Sequence, residues 1–345
     1  MNNKQKKELK HKHKKDKNND PNFLFDPSQY TEINTEFYNN FLDGYFFLKV
    51  SQLYNLTNSP ENKIMELFNF ELEELKVSPD YKYSDTLVDR NVTTEIVMTT
   101  FHCLETYLRM YISHSALSEC PNLILANLSI KDYHENINAI LSGKLNYMNP
   151  DLSDDEILAE TFYFGMENLE YYCANKNVGS VKEVLDVHKE YLKYAAGFVK
   201  NNSEYNTYKH GFYLQQSTEG FSISNSTGVL RSQGSAFTFI TKEKNKNGKS
   251  EWAKTTKYFD REFHVKITII FEYYLSILMD MWKFHYIGND DGYHLERPIP
   301  FDEILRTQKS NTKFQDSNFE LEELMDGMVS QEIRFHYRYF VDKNE

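Results

Sequence analysis

Residues 97–115, which decide the fold of this chain, read VMTTFHCLETYLRMYISHS. Apolar side chains recur in this stretch at steps of four and three residues. They are Val97, Phe101, Leu104, Leu108 and Tyr111, and Ser115 continues the same stripe. This spacing is typical of a helix that packs in a bundle. We therefore predict a long helix from about Thr86 to about Leu117, ended by Cys120-Pro121.

Similar spacing on both sides of this helix predicts further helices. Ser153-Asp154-Asp155-Glu156 is a capping box, which predicts that a helix starts there and runs to about Tyr172. The other predicted helices cover Glu61–Val77, Ile130–Leu141, Ser180–Val199, a segment from Asp260 to about Phe284, and about residues 318–331.

Between residues 211 and 259 the pattern changes to short alternating segments, which predict strands. These segments are 211–216, 221–224, 236–242 and 251–258, and the last two flank Asn247-Gly248, a strong hairpin signal. The predicted fold is therefore mainly α, a helical bundle with a small antiparallel β-hairpin insertion at about 211–259. We expect a disordered basic tail over residues 1–21 and a single domain over 22–345.

Composition and charge limit the partners and the compartment. The 345 residues carry a net charge of −12, although the first 17 residues hold eight lysines. An acidic body is a poor match for duplex DNA, which is bound mainly through its phosphates. The most apolar helix is interrupted by Lys266, Glu272 and Asp280, so we expect no membrane span. Three cysteines without a C-x-x-C pair favour a reducing, cytoplasmic location.

Several common sites have no counterpart in the sequence. There is no phosphate-binding glycine loop, no zinc-protease motif and no nucleophile elbow. We therefore expect neither a metal site nor a cofactor.

The first candidate site lies on the long helix. His102, Glu105 and Arg109 are three and four residues apart, so they project from one side of the helix. One interpretation is a structural ion pair between Glu105 and Arg109. The other is that Glu105 holds Arg109 in a groove, where its guanidinium could bind a phosphate.

The second candidate site precedes the β-insertion, where residues 205–211 read YNTYKHG. Asn206 and His210 share a helical face, and Lys209 would lie near the helix end. Lys209 and Gly211 are also typical of an ordinary helix C-terminus, which leaves a structural interpretation open.

These two segments resemble the HEPN family of helical bundles. Arg109 and His114 have the R-x4-H spacing of that family, and Asn206 and His210 look like its R-N-x-x-x-H form, with Tyr205 in place of the arginine. The resemblance covers about residues 86–215. It is similar to HEPN-like bacterial proteins, and it suggests a toxin, phage-defence or abortive-infection effector.

The resemblance implies metal-independent cleavage of single-stranded RNA by a homodimer. His210 would move protons, Arg109 would stabilise charge on the phosphate, Asn206 would orient the substrate and Glu105 would hold Arg109. Lys209 and His102 would bind the substrate. Phe212 occupies the position of the tyrosine that some toxin pairs modify, so that modification is not implied.

Two functions of different classes therefore remain. One is an endoribonuclease with a composite site of Glu105, Arg109, Asn206 and His210. The other is a non-catalytic helical scaffold or binding protein in which the HEPN-like site is degenerate. Fold class alone does not choose between them.

Overall fold

A computed structural model describes residues 25–59, 70–72, 75–77, 85–176, 178–200, 203–209, 215–217, 222–225, 228–233, 236–244, 248, 250–288, 313–315 and 332–337. The predicted tail, residue His210 and the predicted helix at about 318–331 lie outside these residues.

Within the described residues the chain is mainly α-helical, which confirms the predicted fold class. The α-helices are α1 Tyr30–Asn39, α2 Tyr45–Thr57, α3 Asp85–Ser115, α4 Pro121–Ala126, α5 Ile130–Leu141, α6 Asp154–Tyr163, α7 Met166–Lys176, α8 Val181–Lys200, α9 Ser203–Lys209 and α10 Arg261–Ile287. The strands are β1 Phe70–Leu72, β2 Leu75–Val77, β3 Gln215–Ser217, β4 Ser222–Asn225, β5 Gly228–Gln233, β6 Ala236–Lys244, β7 Ser250–Tyr258, β8 Lys313–Gln315 and β9 Glu332–Tyr337.

The described residues divide into two compact units. The first, which we call the helical unit, is drawn from Met1–Gly44, Leu104–Lys200 and Glu272–Phe301. The second, the mixed unit, is drawn from Tyr45–Cys103, Asn201–Phe271 and Asp302–Glu345. The boundary between them falls inside α3 and inside α10.

The helical unit is built around α8, which packs against α5, α6 and α7. Its interior is rich in aromatic side chains that carry a polar atom. Trp282 donates from Nε1 to the carbonyl of Thr161 at 2.9 Å, and the Tyr111 hydroxyl donates to the carbonyl of Leu145 at 3.2 Å. Such bonds are needed because a buried polar atom without a partner is costly.

Capping residues explain where several of these helices begin. The Ser153 hydroxyl accepts from the backbone N–H of Glu156 at 3.2 Å, and the Glu156 carboxylate accepts from the N–H of Ser153 at 2.7 Å. The capping box predicted from the sequence is therefore confirmed. Asp260 likewise accepts from the N–H of Phe263 at 3.2 Å at the start of α10.

The helix predicted from Ser153 to Tyr172 is wrong in its length, because two helices cover this range. The first ends at Tyr163, and Phe164 adopts the left-handed conformation with φ 55°. Gly165 follows at φ 113°, a region that favours glycine, and its N–H donates to the carbonyl of Ala159 at 3.0 Å. This bond closes the helix end, so α7 starts anew at Met166.

The described residues of the mixed unit form three antiparallel sheets, with strand orders β1-β2, β3-β6-β7-β9 and β4-β5-β8. In the four-stranded sheet, β6 and β7 form the hairpin predicted around Asn247-Gly248. Its register runs from Ala236↔Tyr258 to Lys244↔Ser250. Gly248 has φ 74°, a left-handed conformation that glycine adopts without steric cost.

The helix predicted over Glu61–Val77 is wrong for the described part of that range. Phe70–Leu72 and Leu75–Val77 pair as an antiparallel hairpin, with Phe70 opposite Val77. Phe70 and Leu72, and Leu75 and Val77, alternate with period two, the period of a strand. Some of the same apolar positions also fit three- and four-residue steps, so the pattern was ambiguous.

Candidate functional site

Glu105 and Arg109 form an ion pair on α3. The Glu105 Oε1 atom accepts from Arg109 Nε at 3.1 Å and from Arg109 Nη2 at 3.0 Å. The arginine side chain is 30% exposed and the glutamate side chain 15% exposed. The carboxylate is therefore mostly removed from water, and the guanidinium compensates its charge.

Arg109 also contacts a second helix of the helical unit. Its Cζ atom lies 4.5 Å from the centroid of the Tyr133 ring, and Tyr133 is a buried residue of α5. This distance is within the range of a cation–π interaction. We call these three residues the Glu105–Arg109–Tyr133 cluster. It joins α3 to α5 through one guanidinium.

His102, the third residue of the predicted polar stripe, belongs to the mixed unit. It is exposed, and the edge of its ring meets Phe46 with centroids 5.0 Å apart and Tyr45 at 6.4 Å. Its described ring contacts are thus with aromatic residues of α2.

The second candidate segment forms the short helix α9 in the mixed unit. Asn206 and Lys209 are exposed, and the Lys209 Nζ atom lies 4.0 Å from the centroid of the Tyr205 ring. Tyr205 is buried and stacks on Phe101 with centroids 5.3 Å apart. Tyr205, which stands where the HEPN pattern has arginine, is therefore a core residue.

The composite site predicted from the sequence draws on both units. Glu105 and Arg109 lie in the helical unit, and Asn206 and Lys209 lie in the mixed unit. His210 lies outside the described residues. The common groove of Arg109 and His210 therefore stays a prediction.

The Arg109–His114 pair has a clearer outcome, since both residues lie in the helical unit. His114 is almost fully buried, and its Nδ1 atom donates to the carbonyl of Met110 at 2.6 Å. Its Nε2 atom accepts from the Tyr38 hydroxyl at 2.8 Å, and its ring meets Trp282 edge-on at 4.9 Å. Arg109 contacts α5, while His114 contacts α1 and α10, so these two side chains serve different helix contacts.

Burial also changes the protonation of His114. Removal from water lowers the pKa of His114 to about 4, although the bond to Met110 acts in the opposite direction. The imidazole is therefore neutral near pH 7. A neutral, enclosed imidazole cannot act as a general acid toward a substrate in solution.

Sequence reasoning missed two parts of the arrangement. Tyr133 could not be identified as the partner of Arg109, because the two residues are distant in the chain and no motif joins them. The exposed side of the β6–β7 hairpin was also missed, where Ile240 and Trp252 are both solvent-exposed. The alternation of these strands was recognised, but it does not tell which face is covered.

Comparisons of the chain with protein-family models, with curated proteins and with solved structures find no match. Within the described ranges, none of the helices is long and apolar enough to cross a membrane. The same residues bring together no group of three His, Cys, Asp or Glu side chains that could hold a metal ion.

Proposed function

We propose that this protein is a non-catalytic binding protein in which the helical unit is a scaffold. The observation that carries this proposal is the position of Arg109, which is bound by Glu105 and lies over Tyr133. An arginine that stabilises a reacting phosphate must direct its donors at the substrate. Here one oxygen of Glu105 takes both Nε and Nη2, and Tyr133 covers a face of the guanidinium.

Energetics favour a structural role for the cluster. Releasing Arg109 toward a substrate would leave Glu105, which is 15% exposed, as a poorly solvated carboxylate. Leaving a mostly buried charge without its partner costs more than the pair contributes when intact. The cation–π contact with Tyr133 would be lost as well.

The state of His114 supports the same conclusion. The lowered pKa, the burial and the bond with Tyr38 make it a packing residue of the helical unit. The R-x4-H spacing of Arg109 and His114 therefore does not support a catalytic function.

A second candidate function is the metal-independent endoribonuclease, acting as a homodimer in the cytoplasm in the manner of a toxin or abortive-infection effector. It is favoured by the 30% exposure of Arg109, whose Nη1 atom takes no part in the bond with Glu105, and by the exposure of Asn206. In this function Arg109 would bind the phosphate, Asn206 would orient it and His210 would transfer protons.

Incubation of the purified chain with single-stranded RNA in EDTA separates the two functions. The scaffold proposal predicts no cleavage, and it predicts that Arg109→Ala weakens the fold. The matched control is Lys131→Ala, which removes an exposed ion pair with Glu135 on α5. Cleavage that is lost in both Arg109→Ala and His210→Ala, with stability unchanged, would establish the ribonuclease instead.

Expression in bacteria gives an independent test of the same choice. A scaffold should be tolerated when overproduced. Growth arrest that His210→Ala relieves would contradict the proposal.

A further inference from the structure

The β6–β7 hairpin in the mixed unit exposes two large apolar side chains near the half-buried Lys254. The register places Ile240 opposite Lys254 and Lys242 opposite Trp252. Paired residues in an antiparallel ladder lie on the same face, and so do residues two apart. Ile240, Trp252 and Lys254 therefore share a face, and we call these three residues the sheet platform.

The apolar residues of the sheet platform are more exposed to solvent than isoleucine and tryptophan usually are. Ile240 is 68% exposed and Trp252 is 51% exposed. On the opposite face of β6, Phe237 and Phe239 are buried, and the Phe237 ring lies 4.4 Å from that of Phe259. The face of Ile240 is also buried at Thr238 and Thr256, and it becomes exposed farther along the hairpin, at Ile240 and Trp252.

The local charge is opposite in sign to that of the whole chain. Residues 236–258 contain six lysines and two glutamates, although the chain as a whole carries a net charge of −12. The lysines are Lys242, Lys244, Lys246, Lys249, Lys254 and Lys257. Lys257 is buried on the face of Phe239, whereas the register positions of Lys242 and Lys244 share the face of Lys254. This excess of positive charge favours an anionic partner.

The third strand of this sheet adds aromatic positions to the platform face and basic positions to the opposite face. The register places Tyr337 opposite Trp252 and Phe335 opposite Lys254, with Arg334 and His336 at the intervening positions of β9. Aromatic and basic residues thus occupy register positions across three strands of one sheet.

We propose that the sheet platform binds single-stranded RNA. Sequence-tolerant binding of single strands combines a basic surface that follows the phosphates with aromatic rings on which bases stack. Trp252 provides the ring, Lys254 provides a charge two residues along the same strand, and Ile240 extends the apolar contact. RNA is the expected strand because it exposes unpaired bases in loops and at ends.

Other anionic partners fit the platform less well. A duplex hides the faces of its bases, so Trp252 would have nothing to stack on. An acidic peptide would match the lysines but would not use the exposed indole. This inference concerns a different surface from the Glu105–Arg109–Tyr133 cluster, and it stands whether or not that cluster is catalytic.

The two tryptophans of the chain make the proposal directly measurable. Trp252 is half exposed on the platform, and Trp282 is buried in the helical unit. Titration of the full chain with a short single-stranded RNA of mixed sequence, at low salt and in EDTA, should quench the Trp252 fluorescence. Trp252→Phe, which retains only Trp282, should bind with nearly the natural affinity and show no quenching.

Substitutions then locate the site. Trp252→Ala should weaken RNA binding about tenfold or more, because stacking on one aromatic ring contributes that much to affinity. Lys254→Gln should weaken binding and lower the slope of log affinity against log salt by about 0.7. The matched controls are Tyr171→Ala, an aromatic 72% exposed on α7 of the helical unit, and Lys182→Gln on α8, and both should bind as the natural chain does.

Three results would overturn the proposal. They are the absence of RNA binding by the natural chain, equal or tighter binding of the same sequence as a duplex, and RNA binding that is unchanged in both Trp252→Ala and Lys254→Gln. The last result would assign the binding to another part of the chain. Circular dichroism of each variant confirms that a loss of binding does not reflect a loss of fold.

Discussion

The two units fill their interiors with different aromatic side chains. Five tyrosines are almost fully buried in the helical unit, namely Tyr38, Tyr107, Tyr111, Tyr191 and Tyr274. In the mixed unit the aromatics buried to this degree are phenylalanines, namely Phe101, Phe237, Phe239 and Phe271, and Tyr205 is slightly less buried. A phenol carries a polar atom into the core and a phenylalanine does not, so the two interiors have different hydrogen-bonding demands.

The helical unit meets this demand with backbone carbonyls, as at Tyr111, and in two places with histidine side chains. The Tyr38 hydroxyl bonds His114, and the Tyr163 hydroxyl bonds His188 Nε2 at 2.8 Å. The mixed unit instead buries threonines that bond the backbone of their own helix, as Thr100 does to Ile96 at 3.0 Å and Thr268 does to His264 at 2.8 Å. Side-chain hydrogen bonds thus join elements within the helical unit, while the mixed unit exposes Trp252 beside the half-buried Lys254.

The largest expected effect of this difference is on the core of the helical unit. Phe162 is fully buried and stacks on His188 with centroids 4.2 Å apart. Phe162→Ala should lower the free energy of unfolding by about 3–5 kcal/mol, since it leaves a cavity in a close-packed interior. Urea unfolding in a Trp252→Phe background, where Trp282 reports on the helical unit, measures this change. Phe284→Ala, at a position that is 47% exposed, is the control and should cost less than about 1 kcal/mol.

Acid should destabilise the helical unit through its buried histidines. Burial lowers the pKa of His114 to about 4 and that of His188 to about 3, compared with 6.5 in the unfolded chain. Between these pKa values the unfolded chain binds more protons than the folded chain does. The free energy of unfolding is therefore highest above pH 6.5 and falls as the pH is lowered. Each histidine should lower the free energy of unfolding by about 2 kcal/mol between pH 6.5 and pH 5.

Urea titrations at a series of pH values check this dependence. His188→Phe, which keeps a ring beside Phe162, should make the unfolding free energy less sensitive to acid. His134→Gln, at an exposed position of α5, controls for the loss of a histidine at the surface. An acid response that is the same in His188→Phe as in the natural chain would contradict the assigned role.

The sequence predicts those parts of the fold that depend on interactions between residues close together in the chain. The helices α3 and α8 were predicted because apolar period and end residues are local signals, and the β6–β7 hairpin because Asn247-Gly248 lies between alternating segments. The break at Phe164-Gly165 was missed, since the apolar period continues on both sides of a single glycine. The pairing of β7 with β9 was missed because about 80 residues separate Trp252 from Tyr337 and no local pattern encodes such a contact.

The candidate site was predicted to a lesser degree than the fold. The ion pair of Glu105 and Arg109 follows from helical spacing and is confirmed. The position of Arg109 over Tyr133 depends on the packing of α3 on α5, which spacing within one helix cannot give. The proximity of Arg109 to His210 stays a prediction.

The buried threonines of the mixed unit should contribute less than the rings of the helical unit. Thr268 Oγ1 lies 2.8 Å from Thr100 Oγ1 and donates to the carbonyl of His264. Thr268→Val keeps the shape and removes both bonds, while Thr100 retains its bond with Ile96. The free energy of unfolding should fall by about 1–2 kcal/mol. Thermal unfolding followed by circular dichroism measures this, with Thr31→Val at an exposed position of α1 as the control.

The smallest effects should come from ion pairs, in an order set by their exposure. Glu105→Gln should cost about 1 kcal/mol, because its pair with Arg109 is largely shielded from water. Glu135→Gln should cost less than about 0.5 kcal/mol, since Lys131 and Glu135 are 82% and 46% exposed. Urea unfolding at two salt concentrations compares them. If Glu135→Gln lowered the free energy of unfolding more than Glu105→Gln does, the contribution of these ion pairs would not follow their shielding from water.

We infer that Arg109 stabilises the helical unit and that Trp252 contributes to RNA binding. Measuring urea stability and RNA affinity side by side for Arg109→Ala and Trp252→Ala tests it most directly. We predict that Arg109→Ala lowers the free energy of unfolding by about 1–2 kcal/mol and leaves RNA affinity unchanged. Trp252→Ala should weaken RNA binding about tenfold or more while circular dichroism shows that the chain stays folded. Loss of RNA binding or cleavage in Arg109→Ala, with its stability intact, would contradict the account.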